Sequence, residues 1–185
     1  MSRPRADQPR KAIPVPPAPP RKLIIDCDPG IDDAVALVLA MFDPRLEVVA
    51  VTAVAGNVPA EQATANLQAL VAFLDPPRLP RVGAAVNDLP LPARPASVHG
   101  PDGIGGLELP RVPLHGGHPS EKVIWDAIKA HPREVTILAL GPLTALLRLL
   151  HRAVQGGQLP AHVRHALRQG HRAGTGKGIE DCHLR

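Results

Sequence analysis

Apolar residues along the chain alternate between short runs and a helical spacing. The short runs, rich in β-branched side chains, predict strands at residues 22–27, 46–54, 81–85 and 134–140. The helical spacing predicts helices at residues 32–42, 59–74 and 121–130, and a leucine stripe predicts another at residues 143–150. Because strands and helices alternate, the pattern predicts an α/β fold: a Rossmann-like, open, mostly parallel sheet with flanking helices.

The helix predicted at residues 32–42 is apolar on nearly every side. Its apolar side chains include Ala34, Val35, Leu37, Val38, Leu39 and Met41. A helix that is hydrophobic all round is typically buried on all sides. We therefore expect this helix to be buried within the domain.

Both ends of the chain depart from this pattern. Residues 1–21 are rich in proline and arginine, so we expect a disordered leader without backbone ladders. Residues 152–185 hold four of the nine histidines and no strand-like run, so we expect a disordered tail. The tail is either a natural end or a product of translation in another frame, and we favour the second interpretation because the winding of the domain stops partway. Residues 22–151 form the expected domain.

Composition narrows the class of protein. A chain of 185 residues with 44% hydrophobic residues is enough for one α/β domain. It has two cysteines, which are too few for a disulfide framework, no apolar run long enough for a transmembrane helix, and no apolar signal segment. We therefore expect a cytoplasmic protein with no membrane partner.

The charge distribution argues against a nucleic-acid partner. The net charge is +4, but residues 23–151 hold only nine of the 21 basic residues and 14 of the 17 acidic ones, a net charge of −5. A nucleic-acid-binding domain concentrates cations on its folded face. With only three aromatic residues, we also expect no aromatic platform on which a single-stranded nucleic acid could stack.

Four carboxylates lie within eight residues where the first predicted strand meets the first helix: Asp26, Asp28, Asp32 and Asp33. Open α/β sheets bind ligands at the carboxyl ends of their strands, and a bound cation would relieve the repulsion among these charges. Oxygen ligands favour Ca²⁺ or Mg²⁺ over zinc. Capping of the helix explains Asp32 or Asp33 alone equally well, but it does not explain Asp26 and Asp28.

Three further segments are candidates for the same site. Asn57 follows the second predicted strand, where Gly-Asn is either a turn or an amide for ligand hydroxyls. Residues 99–106 are dense in glycine and form either a loop that closes over a ligand or a surface turn. Residues 140–144 join a strand to a helix, and their carbonyl groups suit a hard cation, although a helix start explains them nearly as well.

Taken in order, these segments resemble one enzyme family. The chain reads Asp-Cys-Asp-Pro-Gly-Ile-Asp-Asp, then Gly-Asn-Val, then His-Gly-x-x-Gly-x-Gly-Gly, then Leu-Gly-Pro-Leu-Thr. This series is similar to the inosine-uridine preferring nucleoside hydrolases, and the resemblance runs from about residue 22 to residue 150. It implies a Ca²⁺-dependent enzyme that hydrolyses the N-glycosidic bond of ribonucleosides, giving ribose and a free base.

The resemblance also implies roles for individual residues. Asp28 would contact calcium and act as the base on a water, Asp33 and the Leu140 carbonyl would be calcium ligands, and Asp26 would support the cluster. Asp32 and Asn57 would hold ribose hydroxyls, and His99 would lie near the nucleobase. The implied partner is a small-molecule ribonucleoside, and the implied assembly is a homo-oligomer.

The chain also departs from the family. Ala145 replaces an asparagine after Leu143-Thr144, the second-half motifs Met-Gly-Gly and Glu-Phe-Asn are absent, and neither His171 nor His183 sits in the context of the family's late Asp-x-His segment. We therefore expect a fold that is incomplete relative to the family, and little or no nucleoside hydrolysis by residues 1–185 alone.

Two alternative functions remain open from the sequence. A haloacid-dehalogenase-like Mg²⁺ phosphatase would use Asp26 as nucleophile and Asp28 as acid, but it expects Thr or Val where Gly30 stands. The other alternative is an inactive, truncated remnant.

Overall fold

A computed structural model describes residues 18–86, 98–110 and 117–156. In chain order the elements are β1 (Arg21–Cys27), α1 (Ile31–Phe42), β2 (Leu46–Ala53), α2 (Ala60–Leu74), β3 (Arg81–Gly83), α3 (Ser120–Ala130), β4 (Val135–Ala139) and α4 (Thr144–Gln155). The strands form one parallel sheet in the order β3-β2-β1-β4. The predicted α/β architecture is confirmed.

Two apolar clusters cover the two faces of the sheet. On one face, Ile25 and Val51 pack with Leu37 of α1 and Leu67 of α2. On the other face, Ile24 and Ala50 pack with Val123 and Ile124 of α3 and Ala145 of α4. Successive residues of β1 therefore point to opposite layers, as the pleat of a strand requires.

The sheet brings several loops to one edge. β1 lies between β2 and β4, so the carboxyl ends of these three parallel strands are neighbours. The Val54 amide after β2 donates to the Cys27 carbonyl at 2.9 Å, and the Leu140 amide after β4 donates to the Asp26 carbonyl at 2.8 Å. These bonds hold the segments that follow β2 and β4 against the end of β1.

The expectation that α1 is buried on all sides is wrong. Leu37 and Ala40 are buried against the sheet, but Leu39 is 68% exposed and Val35 55% exposed. A helix lying on a sheet buries only one face against it, and no described residue covers the opposite face of α1. A helix that is apolar on all sides is therefore not necessarily buried on all sides, at least by the described part of the chain.

The last helix extends beyond the boundary that the pattern indicated. α4 continues to Gln155, four residues past residue 151. The expected leader and tail fall mainly on residues 1–17 and 157–185, which lie outside the described residues. Within the described ranges, no helix combines the length and the apolarity needed to cross a membrane.

Candidate active site

Asp26 is a fully buried carboxylate at the end of β1. Its Oδ1 accepts a hydrogen bond from the Thr52 hydroxyl of β2 at 2.6 Å, while its Oδ2 has no partner among the described residues. Burial raises the pKa of Asp26 to about 6, the Thr52 hydrogen bond opposes this shift, and the charge of Asp28 adds to it. This strand end is therefore a position where negative charge is costly unless a cation lies nearby.

Asp28 is held between the segments that follow β2 and β4. Its Oδ2 accepts a hydrogen bond from the Asn57 amide at 2.7 Å, and the Asn57 side chain donates to the Asp28 carbonyl at 2.9 Å. A methyl group at Gly56 would overlap Asp28 Oδ2, and one at Gly141 would lie 2.7 Å from Asp28 Oδ1. Glycine on both sides leaves space for this carboxylate, which is only 3% exposed.

Asp33 lies in the first turn of α1 and reaches back to cap it. Its Oδ2 accepts a hydrogen bond from the Gly30 amide at 3.0 Å, and the residue is 4% exposed. Burial raises the pKa of Asp33 to about 6, the Gly30 amide lowers it, and the charges of Asp28 and Asp32 raise it further. Asp33 therefore caps α1, as expected, and its buried carboxylate remains close enough to Asp28 and Asp32 for their charges to raise its pKa.

Three polar side chains converge around Gly30. A methyl group there would lie 2.7 Å from Asp32 Oδ1, 2.9 Å from Asn57 Nδ2 and 3.1 Å from His99 Cε1. His99 Nδ1 accepts a hydrogen bond from the Ile31 amide at 3.3 Å, and its Nε2 lies 3.8 Å from Asp32 Oδ1. The Asp32 side chain is 78% exposed, so this convergence faces solvent.

The structure thus places all the residues that the sequence singled out at one edge of the sheet. Leu140 joins them through its backbone, since its amide donates to Asp26 and Gly141 lies against Asp28. Cys27 contributes no ionised sulfur, because burial raises the pKa of its thiol well above the usual value. Among the described residues, no group of three or more His, Cys, Asp and Glu side chains is arranged to hold a metal ion.

Sequence reasoning missed two positions that shape this edge. Thr52 places a hydroxyl in the run from Val48 to Ala53, which is otherwise apolar, and that interruption was a usable signal for a partner of Asp26. Asn66 is 3% exposed on the buried side of α2 and donates to the Asp102 carbonyl at 2.8 Å. A polar residue on the apolar face of a helix was the corresponding signal.

Comparison with known proteins identifies relatives of similar sequence. The non-specific ribonucleoside hydrolase RihC of Escherichia fergusonii is 39% identical over 157 residues, covering 83% of this chain and 50% of that protein. The protein of the same name from Shigella flexneri serotype 5b is 40% identical over the same length and coverage. The chain thus spans about half the length of the curated relatives it matches.

Solved structures agree with this relationship. The purine-preferring ribonucleoside hydrolase from Gardnerella vaginalis superposes with a TM-score of 0.66 at 29% identity, over 72% of this chain and 44% of that one. The plant nucleoside hydrolase PpNRh1 gives a TM-score of 0.60 at 37% identity, over 72% and 43%. Residues 23–164, most of the chain, match the inosine-uridine preferring nucleoside hydrolase family, and the chain belongs to that family.

Proposed function

We propose that the site at the carboxyl ends of β1, β2 and β4, called the strand-end site below, takes part in hydrolysis of the N-glycosidic bond of ribonucleosides. This reaction yields ribose and a free base. The observation that carries the proposal is the convergence of Asp32, Asn57 and His99 around Gly30, beside the buried carboxylates of Asp28 and Asp33. One ligand can therefore contact both the polar groups that suit its hydroxyls and the buried carboxylates of Asp28 and Asp33. The ribonucleoside hydrolase names of the relatives support the same reaction.

Asp32 and Asn57 suit the ribose part of the substrate. A carboxylate accepts charge-assisted hydrogen bonds from hydroxyl groups, and Asp32 presents one that is largely exposed. Asn57 is held in place by its own amide contact to Asp28, so its orientation is fixed before a ligand arrives. We assign the ribose hydroxyls to these two side chains and the nucleobase side to His99.

The chemistry of the carboxylates fits a hard cation. One buried oxygen of Asp26 has no partner among the described residues, and burial together with the charge of Asp28 raises the pKa values of Asp26 and Asp33 to about 6. A cation beside these carboxylates would stabilise their ionised forms. We propose that Asp28, Asp33 and the Leu140 carbonyl would hold Ca²⁺, with Asp26 supporting them. Ca²⁺ takes about 6–8 oxygen ligands, so these three supply part of a shell. When bound, it would polarise water in its shell and lower the pKa of that water.

Asp28 is the proposed proton acceptor. The Asn57 amide fixes one of its carboxylate oxygens, and Gly56 and Gly141 leave space around the group. A carboxylate positioned in this way can take the proton of an attacking water. The surrounding negative charge also favours the oxocarbenium-like transition state through which glycosidic bonds break.

Membership of the nucleoside hydrolase family argues against the phosphatase alternative, in which Asp26 would be the nucleophile and Asp28 the acid. The inactive remnant stays open to test, as do the predicted cytoplasmic location and homo-oligomer.

The test measures ribose release from inosine and from uridine with Ca²⁺. Two proteins are compared: residues 1–185, and the same chain extended with the second half of a relative. We expect little turnover by the first and clear turnover by the second, with Asp28→Asn lowering the rate about 10²- to 10⁴-fold. Asp126→Asn, an acid-to-amide change on α3 at a surface ion pair, is the matched control. An extended chain without turnover, or equal losses in both variants, would refute the proposal.

A further inference from the structure

We propose that Asn66 of α2 is a positioning residue that holds the glycine loop, residues 99–106, and thereby fixes His99 beside Asp32. The effect of Asn66 on catalysis rests on the proposed function, whereas its role in holding the loop rests on contacts alone. Asn66 itself lies on α2 and enters the site only through the loop.

The glycine loop is tightly folded within itself. Gly100, Gly103, Gly105 and Gly106 all have positive φ angles, which other residues rarely adopt. The Gly105 amide donates to the His99 carbonyl at 2.7 Å, and the Asp102 carboxylate accepts from the Gly106 amide at 2.9 Å. These internal bonds define the shape of the loop, but they do not fix where the loop sits on the domain.

Asn66 ties the loop to α2. Its Nδ2 donates to the Asp102 carbonyl at 2.8 Å, and its Oδ1 accepts from Gln62 Nε2 at 2.7 Å. A carbonyl oxygen only accepts hydrogen bonds, so the amide nitrogen of Asn66 must face Asp102, and Gln62 then donates to the remaining oxygen. Gly103 also lies against this point, since a methyl group there would be 2.7 Å from Val58 Cγ1 and 3.2 Å from Asn66 Nδ2.

The other end of the loop meets the site. His99 Nδ1 accepts from the Ile31 amide, and Nε2 on the other side of the ring faces Asp32 Oδ1 at 3.8 Å. A buried asparagine on a packed helix face must be hydrogen-bonded to be tolerated, and its donor here is used to hold the loop. Without that donor, the Asp102 carbonyl loses its bond to α2, and the loop is freed to carry His99 away from α1.

The structural test uses Asn66→Asp, which keeps the size of the side chain and removes the donor. Two signals report the position of His99: hydrogen exchange of the Ile31 amide and the ring ¹⁵N shifts of His99 in the NMR spectrum. We expect exchange at Ile31 to rise about tenfold and the ring shifts to change, while core amides such as Val51 keep their protection. Gln68→Glu, the amide-to-carboxylate change on the same helix, is the control and should alter neither signal.

Gln62→Glu is the second variant, because it removes only the donor to Asn66 Oδ1 and should give a smaller change of the same kind. Unchanged exchange at Ile31 and unchanged His99 shifts in folded Asn66→Asp protein would overturn the inference. A uniform loss of protection in both Asn66 and Gln62 variants, the core amides included, would also overturn it, since it would make the role merely structural.

The functional test uses the extended, active chain with inosine. We expect Asn66→Asp to raise KM about tenfold with a smaller change in kcat, since the groups assigned to the reaction stay in place. A free loop with an unchanged KM would reject the positioning role. Absence of turnover in the parent chain would count against the proposed function, and the exchange and NMR signals would still decide whether Asn66 holds the loop.

Discussion

At the scale of single residues, the strand-end site is costly to fold without a counter-charge. Asp26, Asp28 and Asp33 are each no more than 4% exposed, and the charge of Asp28 adds to the raised pKa of both Asp26 and Asp33. Burial alone disfavours an ionised carboxylate, and neighbouring like charges add to that cost. The arrangement therefore makes metal-free stability depend on pH.

The sign of that dependence follows from the pKa values. Asp26 and Asp33 have a pKa of about 6 in the folded protein, against a usual 3.8. The folded state therefore keeps protons that the unfolded chain releases, and its stability falls as pH rises from about 4 to 6. We expect the Tm in EDTA to fall across this window, and to fall less in Asp26→Asn. Scanning calorimetry checks this, with the exposed Asp75→Asn as control, and parallel profiles for the parent and Asp26→Asn would contradict it.

Gly56 gives a second prediction at this scale. A methyl group there would overlap Asp28 Oδ2 and lie 2.6 Å from Asp28 Cγ, so Gly56→Ala must displace the carboxylate from the Asn57 amide. We expect Ca²⁺ affinity to fall about 10- to 100-fold, measured by titration calorimetry. Gly117→Ala is the matched control, since a methyl group there meets nothing within 4 Å. Equal affinities for the two variants would show that Asp28 does not contribute to cation binding.

At the scale of elements, the sequence predicted the strands of the sheet more accurately than it predicted which surfaces of the helices are buried. Ile24 and Ile25 alternate between the two layers, and the runs around Val51 and Ile137 carry the same signal, so all four strands were found near their observed positions. The burial of Leu39 was predicted wrongly, because it depends on a neighbouring element and not on the helix itself.

Much of the candidate site followed the same logic. Asp26 lies at the end of β1, Asp28 directly follows it, and Asn57 lies in the segment after β2. The edge where parallel strands end is fixed by topology, so their convergence was predictable. Asn66 was not, because its bond to Asp102 joins residues 36 apart through a loop whose path no local pattern specifies. A long-range contact made by a single amide side chain changes the spacing of apolar and polar residues very little, so this spacing does not predict it.

The contact between α3 and α4 provides a prediction for this scale. Glu121 is 3% exposed in the first turn of α3, its Oε1 lies 3.3 Å from Arg152 of α4, and its Oε2 has no partner among the described residues. Arg152→Ala would leave the buried carboxylate unpaired, so we expect the free energy of unfolding to fall by about 1–3 kcal/mol.

Urea denaturation measures that change. Arg78→Ala is the control, because its partner Glu47, at 3.7 Å, is 29% exposed whereas Glu121 is 3% exposed, so loss of the Arg78 pair should cost little. In an Arg152→Ala, Glu121→Gln double variant, part of the loss should be recovered, since the unpaired charge is gone. If Arg152→Ala is as stable as Arg78→Ala, the pair does not join the two helices energetically.

At the scale of the whole molecule, α1 presents an apolar stripe to solvent. Ile31, Val35, Val38, Leu39 and Phe42 recur at helical spacing and are 41–68% exposed. By register, Leu138 of β4 lies beside Ile25 and so on the same side of the sheet, and it is 38% exposed. An exposed apolar stripe of the kind that α1 presents is uncommon on a monomeric domain, and it binds hydrophobic probes.

A fluorescent dye that binds apolar surface can test whether this stripe of α1 is exposed. The folded chain should enhance the fluorescence of the apolar dye ANS, and Leu39→Lys should lower the signal, because Leu39 is the most exposed residue of the stripe at 68%. The same change should alter the free energy of unfolding by less than about 0.5 kcal/mol, as exposed substitutions usually do. Leu37→Lys, two positions away and fully buried, should instead unfold the protein. Similar losses of stability in the two variants would mean that Leu39 is covered in solution, and that α1 is buried on both faces after all.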